Sequence, residues 1–258
     1  MTVTFIAHSA FLVEWEKFYT LFDYTYEPDY TGTLPELSGD KPLLVFSSHS
    51  HEDHFDAKAF TLLEKYPDAR FFVSRDTRLT ERKRQWLNIS DAAFARTTVL
   101  RPDSILLTDV AGEDLSIRAI KSTDIGNAYL LRCEGKMVYH GGDLNWWDWK
   151  SEGEAYCNNM AAHYRAAIEK LAAAVENEAA DNAIVPEITA AMAPLDPRLG
   201  EGSEGLGIEE LMRQIKVQHV FPMHMWKKYE VIDHYLAAHP TQKDAIARIT
   251  REGESFVI

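Results

Sequence analysis

Cysteine is scarce in this chain of 258 residues, which carries only Cys133 and Cys157. The two share no spacing that marks a disulfide framework or a zinc clip, so a stapled secreted scaffold is disfavoured and a reducing compartment fits. Long apolar runs are missing too. None approaches the roughly 18 residues of a spanning helix, which argues against a membrane protein. The opening "MTVTFIAHSAFLVEW" has no basic start and no uninterrupted apolar stretch, so it does not read as a secretory signal, and the expected location is cytoplasmic. Positive charge is in short supply: 27 Lys and Arg stand against 40 Asp and Glu, a formal net charge of −13. That balance favours solubility and disfavours a nucleic-acid backbone as a general partner, though a local basic or metal-centred site could still bind a phosphate group. There is no internal repeat and no low-complexity linker. A chain of this length suits one large domain or two small ones. The sequence does not set the oligomeric state, and a homo-oligomer is compatible with it.

What is present is an ordinary globular composition, 46% hydrophobic and 26% charged. "TVTFIA", "AFLVEW" and "FYTLFDY" are short, β-branched and aromatic, and read as strands. Residues 26–42 collect Pro, Gly and Asp and read as a loop. "LLVFSS" is an apolar run of strand length. "DAKAFTLLEKYP" has helical spacing and stops at Pro67. "RFFVS" reads as a strand and "DTRLTERKRQWL" as a charged helix. Strands are expected at "SILLT", "LSIRAI", "AYLLRC" and "KMVYH", and a long helix from Glu154 to about Glu178. "NAIVPE" reads as strand-like, 194–207 as a long loop, "IEELMRQIK" as a helix, "HVFPMH" as a strand ending in His224, and "YEVIDHYLAAH" as a helix. Strands and helices mix in blocks, so the class is α/β or α+β with sheets covered by helices.

The densest chemistry is "FSSHSHEDHF". Three histidines and two acids fall between His49 and His54, in a chain with ten histidines. Imidazole nitrogen and carboxylate oxygen are the donors that zinc, manganese and iron accept. His49 and His51 are two apart, so continued strand geometry points both to one face, where they can share a cation. Asp53 and His54 follow in a turn and can face a second position, which is the arrangement of a two-metal site. The competing reading is a solvated charged turn, but such turns favour Gly and Asn over three histidines.

H-S-H-E-D-H matches the H-x-H-x-D-H signature, and "GGD" follows about 90 residues later with a late histidine after a strand. In these features, which span most of the chain, the sequence resembles the metallo-β-lactamase superfamily. "YHGGDLNWWDW" and "DPRLG" look most like metal-dependent hydrolases near the L-ascorbate-6-phosphate lactonase group. The resemblance implies a single domain over 1–258, folded as a four-layer αβ/βα sandwich with one or two divalent ions (Zn, Mn or Fe) at one edge. It implies His49 and His51 on metal one, Asp53 and His54 on metal two, Asp143 between the metals and His224 completing metal two. The histidine that normally completes metal one is missing. In "IKSTDIGNAYLL" Asp124 is the only strong donor, so it is the candidate in that place, with a turn-capping role as the alternative. An oxygen-richer site moves preference from zinc toward manganese or iron.

Other residues keep two readings. Asp23 ends a strand, and the resemblance implies that it orients a ligand histidine. His8 in "AHSAFLV" is either near the site or a buried, hydrogen-bonded histidine, and His140 either reaches the cleft or packs at a strand end. His219 is a weaker candidate than His224, and His163, His234 and His239 read as surface residues on helices. Trp146, Trp147 and Trp149 are a substrate wall or core. Asp196 and Arg198 are a substrate contact or a local loop brace. The resemblance implies a metal-dependent hydrolase that cleaves a small ester, lactone or phosphodiester with a metal-activated hydroxide, Asp53 orienting it and carrying its proton. The alternatives are an iron-dependent redox enzyme on the same scaffold and a non-catalytic metal- or ligand-binding protein.

Overall fold

The structure, a computed structural model, describes residues 1–26 and 29–258; Glu27 and Pro28, in the loop expected at 26–42, lie outside the described residues. The first half of the chain supplies β1 (Thr2–Ala7), β2 (Ala10–Glu14), β3 (Tyr19–Phe22), β4 (Leu43–Ser47), β5 (Arg70–Ser74) and β6 (Thr97–Leu100). Three short helices, α1 (Thr61–Lys65), α2 (Glu81–Trp86) and α3 (Asp91–Ala95), lie between its later strands. An antiparallel meander follows: β7 (Ile105–Val110), β8 (Glu113–Lys121), β9 (Asn127–Cys133) and β10 (Lys136–His140). Then come α4 (Glu154–Asn182), β11 (Ile188–Pro194), α5 (Leu206–Gln214), β12 (Val217–Met223), α6 (Glu230–Ala238) and β13 (Glu254–Val257).

The strands form two sheets, ordered β13-β1-β2-β3-β4-β5-β6 and β12-β11-β10-β9-β8-β7. Strand alternation assigns side chains to opposite faces. In β4, Leu44 and Phe46 join the core shared by both sheets, while Leu43 and Val45 face a second core with Phe60, Leu62 and Leu63 around α1. Tyr164, Ile168, Leu171 and Val175 of α4, with Ile208 and Leu211 of α5, extend the shared core beyond the second sheet. This is a mixed α/β fold of two sheets covered by helices, as expected.

Two local readings need correction. "NAIVPE" is not a strand: α4 runs on to Asn182, Ala183 ends it in the left-handed region, and the strand begins at Ile188. β11, "ITAAMAP", pairs in parallel with β10 and β12, and nearly all of it is buried. A central strand covered on both faces is set by packing, and small alanines fit there despite poor strand propensity. "DTRLTERKRQWL" is not one helix either. A turn at Arg75–Thr77 ends at left-handed Arg78, and α2 starts afresh with Thr80 as its cap.

Glu178 near the end of α4 is buried, and its carboxylate accepts from Ser116 Oγ at 2.6 Å, Arg118 Nε at 2.5 Å and Arg132 Nε at 3.2 Å. Burial opposes its ionisation, yet these donors hold its pKa below the ordinary range. It therefore ties α4 to β8 and β9. Glu178→Ala leaves two largely buried guanidiniums without their carboxylate and is expected to destabilise the fold by about 3 kcal/mol, measured by urea denaturation. A depressed carboxyl contributes stability above its unfolded pKa and loses it as pH falls through the folded one. The wild-type advantage over the variant should therefore shrink below about pH 4.

Candidate metal centre

The chemistry gathers where strands end. His8 follows β1, Asp23 follows β3, His49 to His54 follow β4, Asp124 follows β8, Asp143 follows β10, Asp196 follows β11 and His224 follows β12. The backbone turns sharply at several of these places: His8, Asp23 and His224 have φ of 48°, 45° and 63°. Such left-handed conformations in non-glycine residues hold only where surrounding contacts fix them.

The histidine loop is pinned from both sheets. Ser47 Oγ donates to the carbonyls of His49 at 3.0 Å and His54 at 3.1 Å. Tyr129 Oη donates to Ser47 O at 2.9 Å, and Asn127 N to Ser48 O at 2.9 Å. Gly126, at φ +75°, lies so close that a Cβ there would stand 2.2 Å from Ser48 O and 2.5 Å from His49 Cβ. Any side chain at 126 would push His49 out of place.

Two groups of donors result, each with its ligand atoms within 4.8 Å of one another: His49, His51, Asp124 and Asp143 in one, and His8, Asp53, His54 and His224 in the other. Asp143 lies between them. Its Oδ2 is 3.5 Å from His49 Nε2, and its Oδ1 is 3.2 Å from His54 Nε2 and 3.5 Å from His224 Nε2. Asp53 Oδ2 lies 3.2, 3.7 and 3.8 Å from Nε2 of His8, His54 and His224. His51 Nδ1 is 2.9 Å from His49 Nε2 and 3.9 Å from Asp124 Oδ2.

Outer partners turn the imidazoles inward. Asp23 Oδ2 holds His54 Nδ1 at 2.7 Å and also accepts from Ser48 Oγ at 2.7 Å. Because Ser48 gives its proton to Asp23, its oxygen is left to accept from His49 Nδ1 at 2.9 Å. Asp196 Oδ2 takes His224 Nδ1 at 2.8 Å. In all three rings Nδ1 is thereby held by an outer partner and Nε2 faces the centre, the orientation a metal requires.

The electrostatics suit a cation. Burial pushes the His49 and His8 pKa values down to about 4, helped by charge on His54, so both rings are neutral donors at pH 7. For His54 burial is outweighed by Asp143 and Asp23, which raise its pKa well above the ordinary value. Burial likewise opposes charge on Asp143, but His54, His224 and His49 hold it well below the carboxylate range. Burial and the nearby Asp143 raise Asp124. His54 Nε2 and Asp143 Oδ1 are both buried and lie 3.2 Å apart, but neither makes a well-aligned hydrogen bond among the described residues. Buried polar atoms left unpaired are costly, and a cation between them would satisfy both.

The structure brings together all seven expected donors and places Asp23 behind His54. It places His8 in the second donor group, where the sequence left two readings open. Asp196 is the residue the sequence undervalued. Besides His224 it accepts from Trp226 Nε1 at 3.3 Å and from Arg198 Nε and Nη2 at 3.0 and 2.6 Å. Arg198 is thus braced, and it also lines a cavity of about 490 Å³ over the donors, with Trp147, Trp149 and Trp226. Trp146 is a correction: it is not among the cavity's lining residues. It packs against Tyr164, and the Arg165 guanidinium lies 4.5 Å from its ring centre. His140 is fully buried, donates from Nε2 to Ser9 O at 2.9 Å and stacks on Phe22, so it stands behind the site. His219, on β12, is half-buried and belongs to neither donor group.

A two-sheet sandwich with paired His and Asp donors at the strand ends defines a class of metal-binding fold. Residues 2–151 match the beta-lactamase superfamily domain family. The chain belongs to the metallo-β-lactamase superfamily, whose members use one or two divalent metals such as zinc or iron. Similar solved structures include Igni18, a metallo hydrolase from the archaeon Ignicoccus hospitalis, at 19% identity and TM-score 0.57, covering 100% of this chain and 98% of that one. The isothiocyanate hydrolase from Delia radicum gut bacteria is 12% identical, with TM-score 0.53 and coverage of 100% and 99%. CmlA, a diiron β-hydroxylase from Streptomyces venezuelae, is 11% identical with TM-score 0.59, and this chain covers 54% of it. At these identities the likeness is one of fold. No curated protein shows significant sequence similarity to the chain. No helix among the described residues is long and apolar enough to cross a membrane.

Proposed function

We propose that this protein is a metal-dependent hydrolase of a small ester, lactone or phosphodiester. The observation that carries this reading is Asp143, one oxygen toward each of two donor groups. His49, His51, Asp124 and Asp143 would hold one cation, and His8, Asp53, His54 and His224 the other. A bound divalent pair supplies Lewis acidity and brings the ionisation of water toward neutral pH. Asp23, Ser48 and Asp196 keep the imidazoles in the ligating orientation. Asp53, with 27% of its side chain exposed, borders the cavity of about 490 Å³ and can accept a proton from a water beside the substrate and return it to the leaving group. The resemblance of "YHGGDLNWWDW" to the lactonase-like group makes lactones the first esters to test.

One observation favours a second reading. Two of the four donors around His49 are carboxylates, a set harder than an all-histidine one, which suits manganese or iron. An iron-dependent redox enzyme would use that preference. Protein reconstituted separately with zinc, manganese and iron, then assayed on lactones, phosphodiesters and thioesters and in an oxygen electrode, separates the readings. Turnover of an ester or lactone without oxygen uptake supports hydrolysis. Oxygen uptake by the iron form with no hydrolysis in any form supports the redox reading, and bound metal with neither activity points to a binding protein.

A further inference from the structure

The cavity above the donors has three tryptophans in its walls. Apart from the donors themselves it is lined by Trp147, Trp149, Tyr156, Met160, Trp226 and Arg198, with Thr123 at its edge. Trp147, Met160 and Leu199 form an apolar cluster of their own, apart from the two main cores, with Trp149 and Tyr156 packed against it. Trp147 and Trp149 are parallel, with ring centres 6.1 Å apart and planes 1° apart, and Trp147 Nε1 is tied to Asp143 O at 2.9 Å. The indole wall is therefore anchored to the residue between the two donor groups. Trp226 is 38% exposed, a large apolar surface left open beside a polar centre.

The cation in this wall is already engaged. Arg198 directs Nε and Nη2 onto Asp196 and holds its guanidinium over Trp226 at 4.3 Å and Trp149 at 5.5 Å. Asp196 is wholly buried, so it balances much of the guanidinium charge, while the rest of the Trp149 and Trp226 surface stays open to the cavity. Lys227 lines the adjoining cavity of about 840 Å³, which shares His51, Asp53 and Trp226 with this one. It donates to the carbonyl of Asp29 and lies 3.8 Å from Glu252. Among the described residues, Arg198 is the one Lys or Arg that lines the cavity above the donors, and its charge is already paired with Asp196.

We infer that the substrate is an uncharged compound bearing an aromatic or flat apolar group, which lies against Trp149 and Trp226 while its ester or lactone carbonyl faces the donors. Sugar phosphates are outside this class. The inference rests on the hydrolase reading, but it is tested by binding and so can fail or stand separately. The probe is 4-phenyl-2-butanone, a neutral ketone with no bond to hydrolyse. Titrated into the metal-loaded protein, it is expected to quench tryptophan fluorescence saturably. Trp149→Ala should weaken it about threefold to tenfold, the range of one aromatic contact, and Trp149→Phe should restore most of the loss. Glucose 6-phosphate should bind no more tightly than inorganic phosphate, whose affinity reports the metals alone. Saturable ketone binding in a protein that hydrolyses nothing would leave the inference standing and remove the hydrolase reading. Absence of ketone binding, equal binding in wild type and Trp149→Ala, or glucose 6-phosphate binding more tightly than both phosphate and the ketone would overturn it.

Discussion

Asp143→Asn is expected to lower bound metal from two equivalents to one or fewer and to cut hydrolysis by about a thousandfold or more. The reason is the division of labour within one carboxylate. Oδ2 faces His49, while Oδ1 faces His54 and His224. An amide keeps one oxygen, and its NH₂ places protons where the second cation belongs. Losing several kcal/mol of electrophilic stabilisation corresponds to that scale of rate loss. The fold should survive, because Asp143 belongs to none of the apolar clusters. Elemental analysis beside an unfolding curve checks both halves. Unchanged metal stoichiometry would contradict the placement of Asp143 between two cations.

Asp53→Asn is expected to act differently, lowering the catalytic rate by about 10²- to 10⁴-fold while most metal is retained. His8, His54 and His224 remain around the second position, so a ligand is weakened there rather than the site dismantled. The amide also keeps an oxygen within reach of His8, which now lies 3.2 Å from Asp53 Oδ2. What disappears is the carboxylate at the cavity edge, whose charge His8 and His54 favour against the effect of burial. Initial rates on metal-loaded wild type and variant, at matched metal content, are the measurement. A rate within a factor of a few would take the proton-carrying role away from Asp53.

Much of the site was legible in the sequence because its chemistry is compressed. His49 to His54 crowd donors that few other roles explain, and Asp124 stands alone as a strong donor after the strand "LSIRAI". His8 and Asp196 were harder to read. A histidine in "AHSAFLV" has the same local pattern whether it packs or ligates; the difference arises because the backbone at His224 donates to His8 O and brings the two rings together, 4.3 Å between centres. Asp196 and Arg198 pair locally as read, but the contact with His224 depends on β11 and β12 lying side by side. Trp146 and Trp147 are adjacent and indistinguishable by type, and only the turn after Asp143 decides which one faces the cavity. Most strands were legible as short runs of apolar, β-branched and aromatic residues, but β6, Thr97–Leu100, was not read. β11 was not, because its alanines are selected by neighbours on both sides. β13 is four residues long and becomes a strand by pairing with β1 at the far end of the chain.

Whether the His49–His54 loop builds a metal centre is tested most directly by counting metal. Wild-type protein and a His49→Ala, His51→Ala double variant would each be loaded with manganese, desalted and measured by elemental analysis at equal protein concentration. Two equivalents are expected in the wild type and one or fewer in the variant, with closely similar circular dichroism. Equal manganese in the two proteins would contradict a metal centre in that loop.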